Sequence, residues 1–257
     1  MRILKAFALS AAVALPLVAS APALAAGSGP TPPNAHFSFN TLFGTFDRAA
    51  AQRGFQVYKE VCSACHAMRQ LSYRNLLDLG LSEQQVREIA ASFTVTDGPN
   101  DEGQMFERPG RLSDRFRRPF PNEQAARAAN NGAYPPDLSV MVKARPDGAN
   151  YIHALLTGYT DPPAGMVMMD GMNYNTWFPG HQIAMPNVLN DDQIEYADGT
   201  KATVDQMSRD VTTFLAWAAE PETEARRAMG VKVLIFLTIL GGLVYAVKRK
   251  IWADVKH

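Results

Sequence analysis

The chain has 257 residues, 47% of them hydrophobic and 19% charged, which excludes an intrinsically disordered polypeptide and leaves room for one large domain or two small ones. Its two cysteines exclude a disulfide framework and a thiolate-rich zinc site. The formal charge of zero conceals an asymmetry: with Arg2, Lys5, Lys232, Lys248, Arg249, Lys250, Lys256 and Asp254 set aside, residues 26–230 hold 18 basic and 24 acidic side chains, a net of about −6 that repels nucleic acid and attracts a basic partner.

Arg2 and Lys5 open the chain, Ala6 to Ala19 is apolar, and Ala23-Leu24-Ala25 has the small-x-small form of a cleavage site. This predicts a secretory signal peptide over residues 1–25; as a membrane span the apolar run is too short and is broken at Pro16. Gly27 to Asn40, rich in Pro, Gly and Ser, reads as an extended arm lying over the domain surface. A helix follows from about Asp47 to Glu60, with Ala50, Gly54, Phe55, Tyr58 and Val61 along one face. Gly54 weakens that helix, which is explained either by a second helix crossing closely or by simple tolerance.

The helix delivers the chain to Cys62-Ser63-Ala64-Cys65-His66. Two thiols at this spacing add across the two vinyl groups of one haem while the next residue carries its imidazole to the iron, so C-x-x-C-H reads as a c-type haem attachment. Thiol–disulfide chemistry needs no histidine there, and a zinc site needs more soft ligands than the chain has. Export agrees with the motif, since free thiols outside the cytoplasm are exposed to oxidation.

Ser82 with Gln85 forms a capping box and Leu81 with Val86 a hydrophobic staple, opening a helix that runs to about Ser92. Asp97 to Pro121 mixes glycines, prolines and charges, including Arg115, Arg117 and Arg118, and reads as a long surface excursion. Asn122 caps an alanine-rich helix that stops at Asn130-Asn131-Gly132, and Tyr134-Pro135-Pro136-Asp137-Leu138 continues in extended form. Tyr151, Ile152, Leu155 and Leu156 place another helix before Gly158. Asp161 to Asn190 is methionine-rich and full of turns; Asp198-Gly199 suggests a tight hairpin. Thr203 with Gln206 forms a second capping box, opening a helix through Met207, Val211, Phe214 and Leu215 that ends before Pro221 and is the candidate to cross the first helix at Gly54 and Phe55. Residues 228–247 are apolar apart from Lys232, which can snorkel, and are long enough at ~1.5 Å per residue to cross a ~30 Å hydrocarbon core. Lys248-Arg249-Lys250 follow as a basic stop, although Arg226 and Arg227 on the other side weaken the charge contrast.

With His66 on the iron, one axial position is left. His36, His153, His181 and the methionines are candidates. His153 lies on an amphipathic helix, where a structural role is commoner, and Met166, Met168, Met169 and Met172 cluster as apolar filler would. Met185 precedes Pro186, which fixes the backbone behind its thioether; His181 stands beside it as the other candidate.

Arg53-Gly54-Phe55-Gln56-Val57-Tyr58, Asp97-Gly98-Pro99-Asn100, Arg108-Pro109-Gly110-Arg111-Leu112-Ser113-Asp114, Ala125-Ala126-Arg127-Ala128-Ala129-Asn130-Asn131-Gly132, Pro135-Pro136-Asp137-Leu138-Ser139 and Trp217-Ala218-Ala219-Glu220-Pro221-Glu222, in that order, closely resemble the cytochrome c1 family. The resemblance implies a mainly α fold, a class I cytochrome c-like haem domain with long loop insertions, plus one C-terminal transmembrane helix. It implies one covalent haem c on Cys62 and Cys65, with His66 and Met185 as its axial ligands, Arg145 paired with a haem propionate, Tyr151 close to it, and Pro136 as a further haem contact. It further implies electron transfer, without catalysis by this chain alone, in a dimeric ubiquinol:cytochrome c oxidoreductase. The partners there are cytochrome b, the Rieske iron-sulfur protein as donor, and a soluble or tethered c-type cytochrome as acceptor.

The expected layout is a signal peptide at 1–25, a periplasmic haem domain at 26–227, a helix through the bacterial inner membrane at 228–247 and a short cytoplasmic tail at 248–257. An independent membrane-tethered cytochrome, a haem subunit of a terminal oxidase and a haem-based sensor are the alternatives. Some family members carry an additional cysteine pair, which this chain lacks. Asp97, Asp101, Glu102, Asp191, Asp192 and Glu195 are candidate acids for docking a basic acceptor.

Overall fold

A computed structural model describes residues 29–255; the expected signal peptide lies outside them. The described chain is mainly α. Its helices are α1 (Arg48–Glu60), α2 (Glu83–Ala91), α3 (Glu123–Ala129), α4 (Gly148–Thr157), α5 (Val204–Ala219) and α6 (Thr223–Ile251), with two small antiparallel hairpins, β1 (Thr94–Asp97) with β2 (Phe106–Pro109) and β3 (Asn173–Tyr174) with β4 (Gln182–Ile183).

α1 starts where the Asp47 carboxylate accepts the Ala50 N–H, and it buries Ala51, Gly54, Phe55, Val57 and Tyr58. Ala51 rather than Ala50 belongs to that face, and Val57 joins it. α5 crosses this face. A methyl group at Gly54 would overlap the Asp210 carbonyl and stand 2.8 Å from Phe214 Cβ, so the backbones meet where only hydrogen fits. The glycine is thus required by the crossing. Beside it Arg53 sends Nε and Nη2 to the Asp210 carboxylate at 2.9 and 3.0 Å and Nη1 to Asp198 at 2.8 Å. Asp210 is almost wholly buried, and the fork together with Gln206 at 3.0 Å satisfies it.

The aromatic core radiates from the crossing: Phe55 packs on Phe214 with ring centroids 5.6 Å apart, Tyr58 on Phe116 at 5.9 Å, and Phe116 on Tyr73 at 5.0 Å. Phe116 comes from the stretch expected to be a surface excursion. The segment does lie on the surface, but it is ordered there: it folds back as the β1–β2 hairpin, Arg108 bridges Asp97 and Asp114, and Phe116 is driven inward. The expectation for the N-terminal arm is corrected. Ala35, Phe37 and Phe39 alternate into the core, Phe46 joins them, and Arg209 donates to the Ala35 carbonyl at 2.8 Å. Here the arm is part of the packing, because three phenylalanines outweigh its turn-forming residues.

Three helix starts follow their local signals. Ser82 and Gln85 make both bonds of the capping box, and Asn122 accepts the Ala125 N–H. Thr203 accepts the Gln206 N–H at 3.2 Å, but the Gln206 side chain turns to Asp210 instead of closing the box. Asp198-Gly199 forms a turn, with Gly199 at φ +75° donating to the Tyr196 carbonyl, and no strands flank it; Arg53 and the Thr200 N–H hold Asp198 instead. α6 is long and apolar enough to cross a membrane, and its apolar side chains are exposed along its length.

Gly54→Val should destabilise the fold by about 3 kcal/mol or more through overpacking, read as a lowered thermal unfolding midpoint; an unchanged midpoint would mean that the helices can part freely. The Asp198 carboxyl is pushed down to about 2, first by the Thr200 N–H and then by Arg53, while its unfolded value is about 3.9. A depressed folded value places its contribution above the unfolded value and removes it as pH falls toward the folded one. The midpoint difference between the parent and Asp198→Asn should therefore be largest near neutrality and shrink below about pH 4, and a pH-independent difference would contradict this.

Candidate functional site

α1 ends on Val61, and Cys62–Ala64 tightens into a 3-10 turn in which the Cys65 and His66 N–H groups both donate to the Cys62 carbonyl, at 3.1 and 2.9 Å. The turn brings both thiols and the imidazole onto one short loop directly behind the core helix. Tyr58 supports it from below, donating its hydroxyl to the His66 carbonyl at 3.2 Å.

His66 Nδ1 lies 2.8 Å from the Pro136 carbonyl. A carbonyl only accepts, so Nδ1 carries the proton and Nε2 keeps its lone pair. Burial lowers the imidazole below its ordinary value more than the Pro136 carbonyl and Asp137 raise it, which keeps it neutral as a metal ligand must be. Pro136 is itself held in register. Leu138 N–H donates to the Ala67 carbonyl at 2.8 Å, Gln70 N–H to Ser139 Oγ at 3.0 Å, and Arg69 reaches Asp137 through both its backbone N–H and its Nε. Burial pushes the Asp137 carboxyl up, but hydrogen bonds from Ser139 and Arg69 outweigh it and hold it below the usual range. The segment 136–139 is thus laced to 66–70, and the orientation of the His66 ring depends on that lacing.

Cys62 is half-buried and Cys65 exposed. Burial, with Cys65 adding to it, pushes the Cys62 thiol up to about 12, which makes it a poor thiolate and argues against disulfide exchange at this pair.

Met185 follows β4. Its carbonyl accepts from the Tyr159 hydroxyl at 3.0 Å and faces Asn173 Nδ2 at 3.4 Å, so the strand end and the chain after α4 together fix its backbone. Among the described residues no hydrogen bond links Met185 to the Cys62–His66 loop. His181, its competitor, sits at φ +62° with its ring stacked on Tyr174 at 5.6 Å and Nδ1 3.3 Å from the Asn175 carbonyl. His153 uses both nitrogens, on Ser208 Oγ at 2.9 Å and Asp205 at 3.3 Å, which is a structural role; His36 is exposed in the arm. Arg145 is exposed, its side chain bonded among the described residues only to the neighbouring Ala144 carbonyl, and it lies close enough to the buried Tyr151 hydroxyl to offset part of the rise that burial imposes.

A cavity of about 510 Å³ opens beside the Met185 loop, walled in part by Tyr159, Asn173, Tyr174 and Asn187. A second, of about 260 Å³, opens beside Cys65, with Arg69, Tyr134, Pro135 and Asp137 in its wall. The donor chemistry fits a covalently attached haem: two thiols on one turn, one neutral imidazole with a fixed tautomer and a free nitrogen, and a methionine on a separately braced loop. Among the described residues no cluster of three His, Cys, Asp or Glu side chains offers an alternative metal site.

Sequence reasoning missed Tyr159 and Asn173, which lie 26 and 12 residues from the carbonyl they hold and carry no local signal. It also missed Asp137 as the pin behind Pro136. The Asp137-x-Ser139 turn, in which the Ser139 N–H donates to the Asp137 side chain at 2.9 Å, was the readable clue.

Comparison with known proteins adds one family model and three relatives. A family model described as the Cytochrome C1 family matches residues 37–255. "Cytochrome c1 2, heme protein, mitochondrial" of Arabidopsis thaliana is 52% identical over 225 residues, covering 87% of this chain and 73% of that protein. "Cytochrome b-c1 complex catalytic subunit, mitochondrial" of Candida albicans is 50% identical over 234 residues, 91% of this chain and 81% of its own, and "Cytochrome c1" of Rhodospirillum rubrum is 48% identical over 237, 86% and 87%.

Asp137→Ala should unpin the segment, at a cost of about 1–3 kcal/mol, and speed amide hydrogen exchange at Leu138 and Ser139 while leaving α2 unchanged. Parent-like exchange at those two amides would show that the lacing holds without the carboxylate.

Proposed function

Because this chain belongs to the cytochrome c1 family, we propose that it is the membrane-anchored haem subunit of a cytochrome b-c1 complex, passing single electrons from the Rieske iron-sulfur protein to a c-type cytochrome. The observation that carries the reading is the His66 imidazole, held through Nδ1 by Pro136 with Nε2 free, one residue after a cysteine pair on the same turn.

In this reading Cys62 and Cys65 would anchor the haem through thioether bonds, and His66 and Met185 would hold its iron. The bound haem would supply a reversible ferric/ferrous couple. The Pro136 carbonyl fixes the tautomer of His66 and makes it a better donor, and Tyr58 holds the backbone behind it. Tyr159 and Asn173 brace the Met185 carbonyl, so that a soft thioether can be presented without a search over loop conformations. A thioether favours ferrous iron and would raise the potential relative to two imidazoles, and with both His66 and Met185 on the iron no position would be left for a substrate. Arg145, exposed beside Tyr151, is suited to pair with a propionate. Quinol chemistry belongs to cytochrome b, and no catalysis is assigned to this chain alone.

The orientation is supported by the number of cations flanking α6. Arg226 and Arg227 stand before the apolar stretch, whereas Lys248, Arg249 and Lys250 lie together in the last turn. That contrast favours a cytoplasmic tail at 248–257 and a periplasmic haem domain. Two of the acids offered for docking have internal partners: Asp97 holds Arg108, and Asp191 accepts the Val204 N–H. The field of the acidic domain as a whole carries the attraction instead.

Met185→Leu should abolish the thioether-to-iron band of the oxidised protein, lower its potential, and slow electron delivery to an added c-type cytochrome by about tenfold or more, a barrier of about 1.4 kcal/mol. Retention of the band and potential would remove Met185 from the iron. Electron transfer to a basic cytochrome should also slow as salt shortens the Debye length to below about 10 Å; a rate independent of salt would remove the acidic field from docking.

A further inference from the structure

The turn that follows the N-terminal arm carries the wrong residues for a turn in water. Thr41-Leu42-Phe43-Gly44 is closed by a Gly44 N–H to Thr41 carbonyl bond at 3.1 Å, which puts Leu42 and Phe43 at its two corner positions, where Gly, Asn, Asp or Pro are usual. Both are far out of the core, at 77% and 76% exposed. The turn is nevertheless built: Ser38 Oγ donates to the Thr45 carbonyl at 2.8 Å, and a side chain at Gly44 would overlap the Ser38 carbonyl.

The position of this turn along the membrane axis is set by α6. Arg227, the residue immediately before the apolar stretch 228–247, donates to the Gly44 carbonyl at 2.6 Å and the Phe39 carbonyl at 3.0 Å. One turn earlier, Glu224 accepts the Phe46 N–H at 2.7 Å and pairs with Arg48. The base of the turn is therefore bonded to α6 at the residue where apolar chain begins, which is the level of the lipid headgroups if α6 spans.

We propose that Leu42 and Phe43 insert into the outer headgroup–acyl boundary of the bilayer, giving the haem domain a second lipid contact beside its transmembrane helix. The occupant is lipid because the base of the turn is bonded to Arg227 and Glu224, level with the first turn of α6, where the exposed apolar surface of that helix begins. An exposed Leu–Phe corner there gains by leaving water, and Arg227 satisfies the backbone carbonyls that would otherwise face the boundary.

The inference rests on α6 crossing the membrane, so its test includes that helix. With both native cysteines consumed by haem, single-cysteine variants of the full-length haem-loaded chain can be nitroxide-labelled and reconstituted into phosphatidylcholine–phosphatidylglycerol vesicles. Labels at Leu42→Cys and Phe43→Cys should collide with dissolved oxygen several-fold more, relative to a water-soluble nickel chelate, than a label at Val167→Cys, an 86% exposed residue in the methionine-rich segment. Collision behaviour matching Val167→Cys would place the turn in water and overturn the proposal. Exclusion of both reagents would mean that protein covers the turn, and would overturn it equally. Leu237→Cys, mid-span, separates the two readings: an oxygen-rich Leu237 with a water-like Phe43 sinks only the second contact, whereas a water-like Leu237 sinks the span itself.

Discussion

The close crossing of α1 and α5 at Gly54 is the constraint on which the rest depends. It allows backbone to meet backbone at Asp210, lets Phe55 and Phe214 pack across the seam, and brings the Arg53 fork onto a buried carboxylate that water cannot serve. Removing either partner of such a pair leaves an uncompensated buried charge, so Arg53 and Asp210 specify the crossing even where their net contribution to stability is small. α1 ends at the cysteine turn and α5 runs on to α6. One contact thereby sets the relation between the cysteine turn and α6.

The two sides of the site are organised differently. The His66 side is a local structure supported from a distance: the C-x-x-C-H turn closes on itself, and a segment seventy residues later is laced alongside to supply one carbonyl. The Met185 side is made of loops, and its backbone is held by side chains from the β3 strand and from the end of α4. Chain without regular structure keeps a defined position only where its polar groups find partners. A tyrosine hydroxyl and an asparagine amide do this for Met185, in a domain that has no disulfide to help.

Helix starts were legible because capping is a four-residue matter: Ser82, Asn122 and Thr203 each accept the N–H three residues on. Gln206 shows the limit, since its alternative one turn on along α5, Asp210, is a charged acceptor and outcompetes the Thr203 backbone. The arm was misread for a different reason. Ala35, Phe37 and Phe39 alternate with His36 and Ser38 in a period of two, but prolines and glycines just before them dominate the composition. The β1–β2 hairpin has strands of four residues whose faces are only exposed or half-exposed, and so no buried apolar face marks it. For the site, the motif marked Cys62–His66 as the candidate haem loop, the resemblance chose Met185 over His181, and the bracing residues had no local signature at all.

The joint between domain and membrane decides what kind of carrier this can be. Only Glu220, Pro221 and Glu222 separate α5 from α6, yet the joint is crossed by Lys143 and Arg226 on Glu220, Arg48 on Glu224, and Arg227 on two carbonyls of the arm. Exposed ion pairs contribute little one by one, but here they bind three separate stretches of chain around the same helix turn, and swinging the domain would break them together. A haem held on such a mount keeps its distance from the membrane. Electron transfer in and out then requires the donor and the acceptor to do the moving, which is a relay's role and not a shuttle's.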